Sequence, residues 1–156
     1  MDTDQNAKDI RHSAIDLLSR REHSFQELVT KLSRRYFPQQ AIEEQLSILT
    51  SCGYQCDQRF TESFIRDRKG RGKGPRYIRQ DLQHRGISGR MIEENLDERD
   101  PEWIDLAEKA YLKKFSGRPI TDHKDRAKRV RFMLSRGFTQ DTVYPLLNRE
   151  ESVGLR

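Results

Sequence analysis

Residues 78–96 read IRQDLQHRGISGRMIEENL, and this stretch decides the fold. Ile78 and Leu82 have the spacing of one face of a helix. Gly86 supplies the left-handed residue with which helices commonly end, and Ser88 is a capping residue for the start of another helix. The stretch therefore predicts a helix, a tight turn and a second helix.

The same pattern occurs in three copies along the chain. The aligned apolar residues are Leu28, Leu32, Phe37, Ile42 and Leu46 in the first copy, Ile78, Leu82, Ile87, Ile92 and Leu96 in the second, and Met133, Phe138, Val143 and Leu147 in the third. The third copy is imperfect, because Arg129 stands in the position of Ile78. A repeat of this period indicates an array of small helical units.

The starts of several helices carry recognisable signals, and each copy is expected to begin with one further helix before the repeated pair. Ser24 followed by Glu27 matches a capping box. Asp57 is a candidate cap for the helix that opens the second copy, and Asp100–Pro101 for the helix that opens the third, because proline is favoured in a first helical turn. Helix-turn-helix geometry also builds ordinary helical bundles, so these signals favour a scaffold over a reader of base sequence.

We predict an all-α fold of three tandem three-helix (helix-turn-helix-like) repeats in an elongated, curved array. The repeats occupy residues 9–55, 57–98 (the basic one) and 100–150, with a flexible N-terminal tail at residues 1–8 and a C-terminal tail at residues 151–156. Units this small bury little apolar surface by themselves, so each is expected to pack on its neighbours.

The chain carries 30 Lys and Arg against 25 Asp and Glu, a formal net charge of +5. An excess of positive charge favours polyanionic partners, because each neutralised phosphate releases counterions. The positive charge is concentrated between Arg66 and Arg90, where only Asp67 and Asp81 oppose it, and residues 93–108 are acidic. The middle repeat is therefore the candidate for binding a polyanion.

Residues 66–79 read RDRKGRGKGPRYIR and combine closely spaced cations with three glycines. Glycine lets a backbone approach a ligand, and Arg and Lys suit phosphate groups. On the helix that follows, Arg76, Arg79 and Gln83 are expected to face solvent or a partner. The pattern fits a phosphate-contacting surface and a solvated charged loop equally well, and whether Tyr77 stacks on a base stays open. The glycines predict a mobile loop at residues 69–74.

Several classes of site are not indicated. The alternating glycines match neither the P-loop nor the dinucleotide-binding fingerprint. The four histidines are scattered without a nucleophile motif, and Cys52 and Cys56 are expected to be reduced thiols, since a structural zinc site needs about four ligands. We therefore expect no catalytic residue, no cofactor and no metal site. No stretch is apolar enough for a membrane span or a secretory signal, which predicts a cytoplasmic protein.

Residues 56–75, CDQRFTESFIRDRKGRGKGP, continued by Ile78, Leu82 and Gly86, resemble the central signature of the RecX proteins. The most specific parts are the Asp-x-Arg-Phe start and the Gly-x-Gly-Pro turn. The resemblance covers residues 9–150. It implies a non-enzymatic regulator in recombination, DNA repair and the SOS response, which binds along the RecA–DNA filament and inhibits RecA ATPase, strand exchange and co-protease activity.

The resemblance also implies partners and contact residues. Binding to single- and double-stranded DNA is expected, and we expect a monomer. The implied DNA and filament contacts are Arg66, Arg68, Lys69, Arg71, Lys73, Arg76 and Arg79. Arg59 is expected to pair with Asp57 or with a neighbouring module. The alternative is a stand-alone DNA- or RNA-binding helical protein without RecA dependence.

Overall fold

The computed structural model describes residues 2–154, and the side chains of residues 3–152. All regular secondary structure in this range is helical. In chain order the helices are α1 (Asp2–Arg20), α2 (Phe25–Ser33), α3 (Gln39–Ser51), α4 (Asp57–Gly70), α5 (Pro75–His84), α6 (Gly89–Asn95), α7 (Glu102–Phe115), α8 (His123–Ser135) and α9 (Gln140–Gly154). The predicted all-α fold of tandem three-helix repeats is confirmed, with α1–α3, α4–α6 and α7–α9 as successive triplets.

The apolar positions of the sequence repeat are core positions. Those at most 4% exposed are Leu28, Leu32, Ile42, Leu46, Ile78, Leu82, Ile87, Ile92, Leu96, Met133, Phe138, Val143 and Leu147. Phe37, the remaining position, is partly buried against the core of α1–α3. Helical spacing of apolar residues thus becomes one buried face in every copy.

The turns within the repeats need a backbone conformation that glycine adopts without strain. Gly86 has φ +82° and Gly137 has φ +100°. After the first of these, the Ile87 N–H donates to the Leu82 carbonyl at 3.1 Å, which closes the helix end. Tyr36 takes the same position in the first copy with φ +65° and an exposed side chain. A left-handed residue with a Cβ costs about 1–2 kcal/mol.

The helix starts follow the sequence signals at three of four places, one of which is Ser88, whose hydroxyl accepts the Met91 N–H at 3.2 Å at the start of α6. Ser24 forms the predicted capping box, because its hydroxyl accepts the Glu27 N–H and the Glu27 carboxylate accepts the Ser24 N–H, both at 3.0 Å. Asp100 accepts a backbone N–H at the start of α7. The prediction for Asp57 is wrong. Its carboxylate accepts the Phe25 N–H at 2.9 Å, so it supports the start of α2 and not of its own helix.

Both predicted tails differ from the structure. α1 already includes the second residue, so most of the predicted flexible tail at residues 1–8 is helical. Acidic residues are favoured at a helix start, and the Gln5 amide adds a hydrogen bond of 2.9 Å to the Asp9 carboxylate. α9 continues through Gly154 and so includes part of the predicted tail at residues 151–156. Residues 1, 155 and 156 lie outside the described residues.

The helices are grouped into two compact units whose boundaries fall inside α4, α5 and α6. One unit contains the residues up to 64 together with 82–92, and the other contains residues 65–81 together with the chain from 93 onward. In the first unit α3 packs against α1 and α2, and in the second α9 packs against α7 and α8. Neither unit coincides with a three-helix module, so the module boundaries remain a prediction.

Arg129 shows how the third copy holds a cation at a core position. Its side chain is 5% exposed and lies 3.1 Å from the Asp125 carboxylate. It also donates to three oxygens, the Tyr111 hydroxyl (2.6 Å), the Arg118 carbonyl (2.8 Å) and the Pro119 carbonyl (3.1 Å). Burial by itself would lower the pKa of Arg129, but the hydrogen bond to Tyr111 and the ion pair with Asp125 raise it. The buried charge is therefore fully paired.

Candidate nucleic-acid interface

The basic segment, residues 66–79, consists of the end of α4, a turn and the start of α5. α4 continues through Gly70, and Gly72 then adopts φ +78°. The Lys73 N–H donates back to the Arg68 carbonyl at 3.0 Å, the hydrogen bond of a Schellman motif. The glycine at position 72 is therefore required by the end of the helix itself.

Gly74 joins this turn to the turn between α8 and α9. Its N–H donates to the Arg136 carbonyl at 2.7 Å, and the Arg76 N–H donates to the Gly137 carbonyl at 3.0 Å. A Cβ at position 74 would lie 2.4 Å from the Gly137 carbonyl carbon, closer than any real Cβ contact. The loop predicted to be mobile at residues 69–74 is thus held by hydrogen bonds. Gly74 permits the approach of two backbones, and not of a ligand.

Three arginines of the basic segment are exposed. Arg66 on α4 and Arg76 on α5 are exposed, and neither forms an ion pair with any described residue. The Arg71 side chain is 66% exposed, and its Nε lies 3.1 Å from the Asp67 carboxylate. Exposed pairs of this kind contribute about 0–1 kcal/mol, so Arg71 can exchange Asp67 for another anion. These three side chains are available for contact with phosphate groups.

Arg68 and Arg79 are neutralised within the protein. The Arg68 side chain, 20% exposed, pairs with Asp67 and lies 3.9 Å from the Asp81 carboxylate. Arg79, 26% exposed, contacts two carboxylates of the acidic stretch that follows, those of Glu93 and Glu98 (3.4 Å). The prediction that Arg79 faces solvent or a partner is wrong, because the acidic stretch folds back onto it.

Lys69 is likewise engaged by α7. Its Nζ lies 2.8 Å from the Glu102 carboxylate and 4.9 Å from the centroid of the Trp103 ring system. Trp103 is 2% exposed, and its indole N–H donates to the Asp97 carbonyl at 2.8 Å. Trp103 is therefore a core residue, and Lys69 packs over it.

Lys73 lies over the ring of Tyr77, with 4.4 Å between Nζ and the ring centroid. Burial, followed by the neighbouring charges of Arg136 and Arg68, lowers the pKa of Lys73. The two neighbouring arginines thus create a positive potential at this turn, which disfavours the protonated form of Lys73. One face of Tyr77 is covered by this cation, and the residue is 36% exposed.

Arg59 contacts a residue far from it in the sequence. Its Nε lies 3.0 Å from the Glu22 carboxylate, and it also donates to the carbonyls of Gly53 (2.7 Å) and Tyr54 (3.2 Å). The expected pair with Asp57 is wrong. The expected pair with a neighbouring module is confirmed, because Glu22 belongs to the first predicted repeat.

Four further cations lie beside the basic segment and are not predicted from the sequence. Lys109, Lys113 and Lys114 on α7 and Arg136 after α8 line a cavity of about 420 Å³ together with residues 69–72. The spacing of Lys109 and Lys113, one helical turn apart, is the signal in the sequence that could have indicated them.

Within residues 2–154, no group of three or more His, Cys, Asp or Glu side chains is arranged to hold a metal ion. Cys52 is exposed, Cys56 is half-buried, and both are free thiols. None of the helices in this range combines the length and the apolar character that crossing a membrane requires.

Models of three RecX domains match the chain in order. The first three-helix domain matches residues 11–47, the second matches residues 57–96, and the third matches residues 100–147. The chain belongs to the RecX family. The sequence resemblance that begins at residue 56 is thereby confirmed.

Members of the RecX family from several bacteria are similar over most of their length. The regulatory protein RecX of Pseudomonas putida (strain GB-1) is 40% identical over 139 residues, which are 89% of either chain. That of Vibrio vulnificus (strain CMCP6) is 36% identical over 140 residues, 90% of this chain and 92% of that one. These relatives are named regulatory proteins.

Two solved RecX structures share the fold. A crystal structure of regulatory protein RecX superposes with a TM-score of 0.78 at 25% identity, covering 92% of this chain and 73% of that chain. RecX from Lactobacillus salivarius superposes with a TM-score of 0.74 at 18% identity, covering 96% and 98%. At the lower identity the likeness concerns the fold alone.

Proposed function

We propose that this protein binds the RecA–DNA filament and inhibits the ATPase, strand-exchange and co-protease activities of RecA. Membership of a family of regulatory proteins supports a regulatory role. The observation that carries the proposal is the set of exposed arginines on and between α4 and α5, namely Arg66, Arg71 and Arg76. Exposed cations neutralise phosphates and release counterions, which supplies most of the affinity for a nucleoprotein surface.

The seven expected contact residues divide into two proposed roles. Exposed contacts to phosphate or to the filament are proposed for Arg66, Arg71 and Arg76. Positioning is proposed for the residues whose side chains are engaged within the protein, which are Arg68, Lys69, Lys73 and Arg79. Arg68, Lys69 and Arg79 must each lose a carboxylate before they can bind phosphate, so their net gain on binding is smaller. Lys73 would instead lose its contact with the Tyr77 ring.

Further parts of the proposal follow from the family and the charge. The protein is proposed to act without catalysis and without a cofactor, as a monomer in the cytoplasm. It is proposed to bind single- and double-stranded DNA. Residues 9–55, 57–98 and 100–150 are proposed to act as three modules, of which the middle one supplies the exposed arginines.

The test is RecA ATPase on single-stranded DNA, titrated with the wild type and with Arg66→Ala/Arg76→Ala. The matched control is Lys124→Ala/Arg131→Ala, which removes the same charge from exposed positions on α8. We expect inhibition by the wild type and the control, and about tenfold more protein for half-inhibition by the arginine variant, because two phosphate contacts are lost. An ATPase rate unchanged by saturating wild-type protein contradicts the proposal.

A second candidate function, nucleic-acid binding without RecA, is favoured by the same exposed arginines. It predicts tight binding to naked DNA with a steep salt dependence, and no preference for the filament. Equal affinity for naked and RecA-coated single strands, with no inhibition of ATPase, would favour this alternative.

A further inference from the structure

A cavity of about 420 Å³ opens beside the end of α4, within the unit that contains residues 65–81 and the chain from residue 93 onward. Its volume lies in the range of about 300–1,000 Å³ that small-ligand sites occupy. The cationic side chains in its wall are Lys69, Arg71, Lys109, Lys113, Lys114 and Arg136. None of its described lining residues is acidic. The wall is therefore suited to a ligand that carries negative charge.

Most of this charge is not neutralised by the protein. Lys69 and Arg71 each have a carboxylate partner that lies outside the lining of the cavity. The other four cations of the wall form no ion pair with any described residue. Four unpaired cations around one concave site repel one another and create a positive potential there. A bound phosphate, free or within a strand, would offset this potential.

Arg136 adds a second, independent sign of a ligand. Its Nε is buried and has no hydrogen-bond partner among the described residues. Buried donors are paired in nearly all native structures, so this unpaired donor indicates that the arginine is not satisfied by the protein alone, and a small rotation of the side chain would bring it to an acceptor in the cavity. The guanidinium carbon lies 5.5 Å from the centroid of the Phe132 ring, which holds the arginine at the wall.

The remaining wall of the cavity is apolar and partly aromatic. It consists of Leu106 and Ala110 on α7 and Phe132 on α8. Phe132 is held by an edge-to-face contact with Phe115, with ring centroids 5.5 Å apart. On α7 the apolar and cationic residues alternate at helical spacing, so both kinds of group face the same site.

We propose that this cavity binds one nucleotide of a single strand of nucleic acid, with the phosphate against the cations and the base against the apolar wall. Bases gain affinity by contact with aromatic and apolar side chains, and phosphates by contact with Arg and Lys. An acidic peptide would supply the charge without a flat apolar group. A base must be unpaired to enter a cavity, which favours a single strand over a duplex.

The first arm of the test measures binding of a fluorescent oligothymidylate to the protein without RecA, so its outcome does not depend on the proposed RecA function. Lys109→Gln/Lys113→Gln removes two cations of the wall and keeps the side chains long. If both contact phosphate, the slope of log affinity against log salt falls by about 1.4, and affinity at about 0.1 M salt falls roughly 25-fold. The control Lys124→Gln/Arg131→Gln, with the same loss of charge, should keep the wild-type slope. Equal slopes for the two variants overturn the proposal.

A second arm tests the base. An abasic strand of the same length is expected to bind the wild type about tenfold more weakly, since each stacked base contributes to affinity. Equal binding of the two strands overturns the assignment of the apolar wall to a base. In a competition experiment, polyglutamate, thymidine monophosphate and unlabelled oligothymidylate are each added at equal total charge to displace the labelled strand. If polyglutamate or the monophosphate is as effective as oligothymidylate, the single strand is not the ligand.

A third arm needs no variant. A strand containing 5-iodouracil is photo-crosslinked to the wild-type protein, and the modified peptides are identified by mass spectrometry. Crosslinks are expected within residues 106–114 or at Phe132. Crosslinks found solely at other positions overturn the proposal.

Discussion

Replacing Arg129 with alanine is expected to lower the free energy of unfolding by about 3 kcal/mol. The guanidinium is almost fully buried, and it is the donor for the Tyr111 hydroxyl and for the carbonyls of Arg118 and Pro119. Removing one partner of a buried polar contact leaves the other partners desolvated and unpaired, which costs more than the contact itself contributed.

The magnitude depends on which partners can bind water instead. Arg118 and Pro119 are in an exposed stretch, so their carbonyls can be hydrated at little cost. Tyr111 is 1% exposed, so its hydroxyl stays buried and unpaired, at about 1–3 kcal/mol. Loss of the packed alkyl part of the arginine adds about 1–2 kcal/mol. The sum is about 3 kcal/mol, with the hydroxyl as the larger contribution.

The assay is equilibrium unfolding in urea, followed by the fluorescence of Trp103, the one tryptophan of the chain. Arg131→Ala, an exposed arginine on the same helix, is the matched control and should change stability by less than about 0.5 kcal/mol. Combining Tyr111→Phe with Arg129→Ala should recover part of the loss, because the unpaired hydroxyl is then absent. A loss below about 1 kcal/mol for Arg129→Ala would refute the reasoning.

Three further predictions concern other parts of the fold. Gly74→Ala should lower the free energy of unfolding in urea by about 3 kcal/mol, since the added Cβ would lie 2.4 Å from the backbone of Gly137. The control Gly89→Ala, whose Cβ would have nothing within 4 Å, should be neutral or stabilising by up to about 1 kcal/mol in the same titration. Glu27→Ala should cost about 2–3 kcal/mol in thermal and urea unfolding, because this carboxylate completes a capping box and pairs with two arginines, while the exposed Glu43→Ala should stay within about 0.5 kcal/mol. Burial lowers the pKa of His23 from 6.5, so the unfolded state takes up a proton at higher pH than the folded state, and the free energy of unfolding should decline as pH falls below about 6.5. His23→Gln should flatten this pH dependence, and an unchanged dependence would count against the role of His23.

The helical repeat could be predicted from the sequence because its causes are local. The left-handed residue at Gly86 and Gly137, and the reciprocal hydrogen bonds of Ser24 and Glu27, involve residues a few positions apart. Helical periodicity then determines which side chains share a face, whatever that face packs against. These signals were enough for the all-α fold and the three copies, whereas the resemblance to the RecX family came from the residues of the segment 56–75.

The candidate interface could be predicted only in part, because ion pairing depends on contacts between residues distant in the sequence. The sequence places seven cations in one segment, but it does not show that Glu102 reaches Lys69 or that Glu98 reaches Arg79. Of the cations in that segment, Arg66, Lys73 and Arg76 have no ion-pair partner among the described residues, and of these three Arg66 and Arg76 are exposed. Which charges remain available was decided by packing.

By itself, the sequence determined the helices, their turns and the basic character of the middle repeat, since each rests on short-range sterics, hydrogen bonding and composition. The tertiary structure alone decided that Asp57 supports the start of α2, that Arg129 is a satisfied core residue, and that Lys109 and Lys113 face the same cavity as the end of α4. The physical reason is that the free energy of a charge depends on its burial and its neighbours in space, and neither is a property of the adjacent residues in the chain.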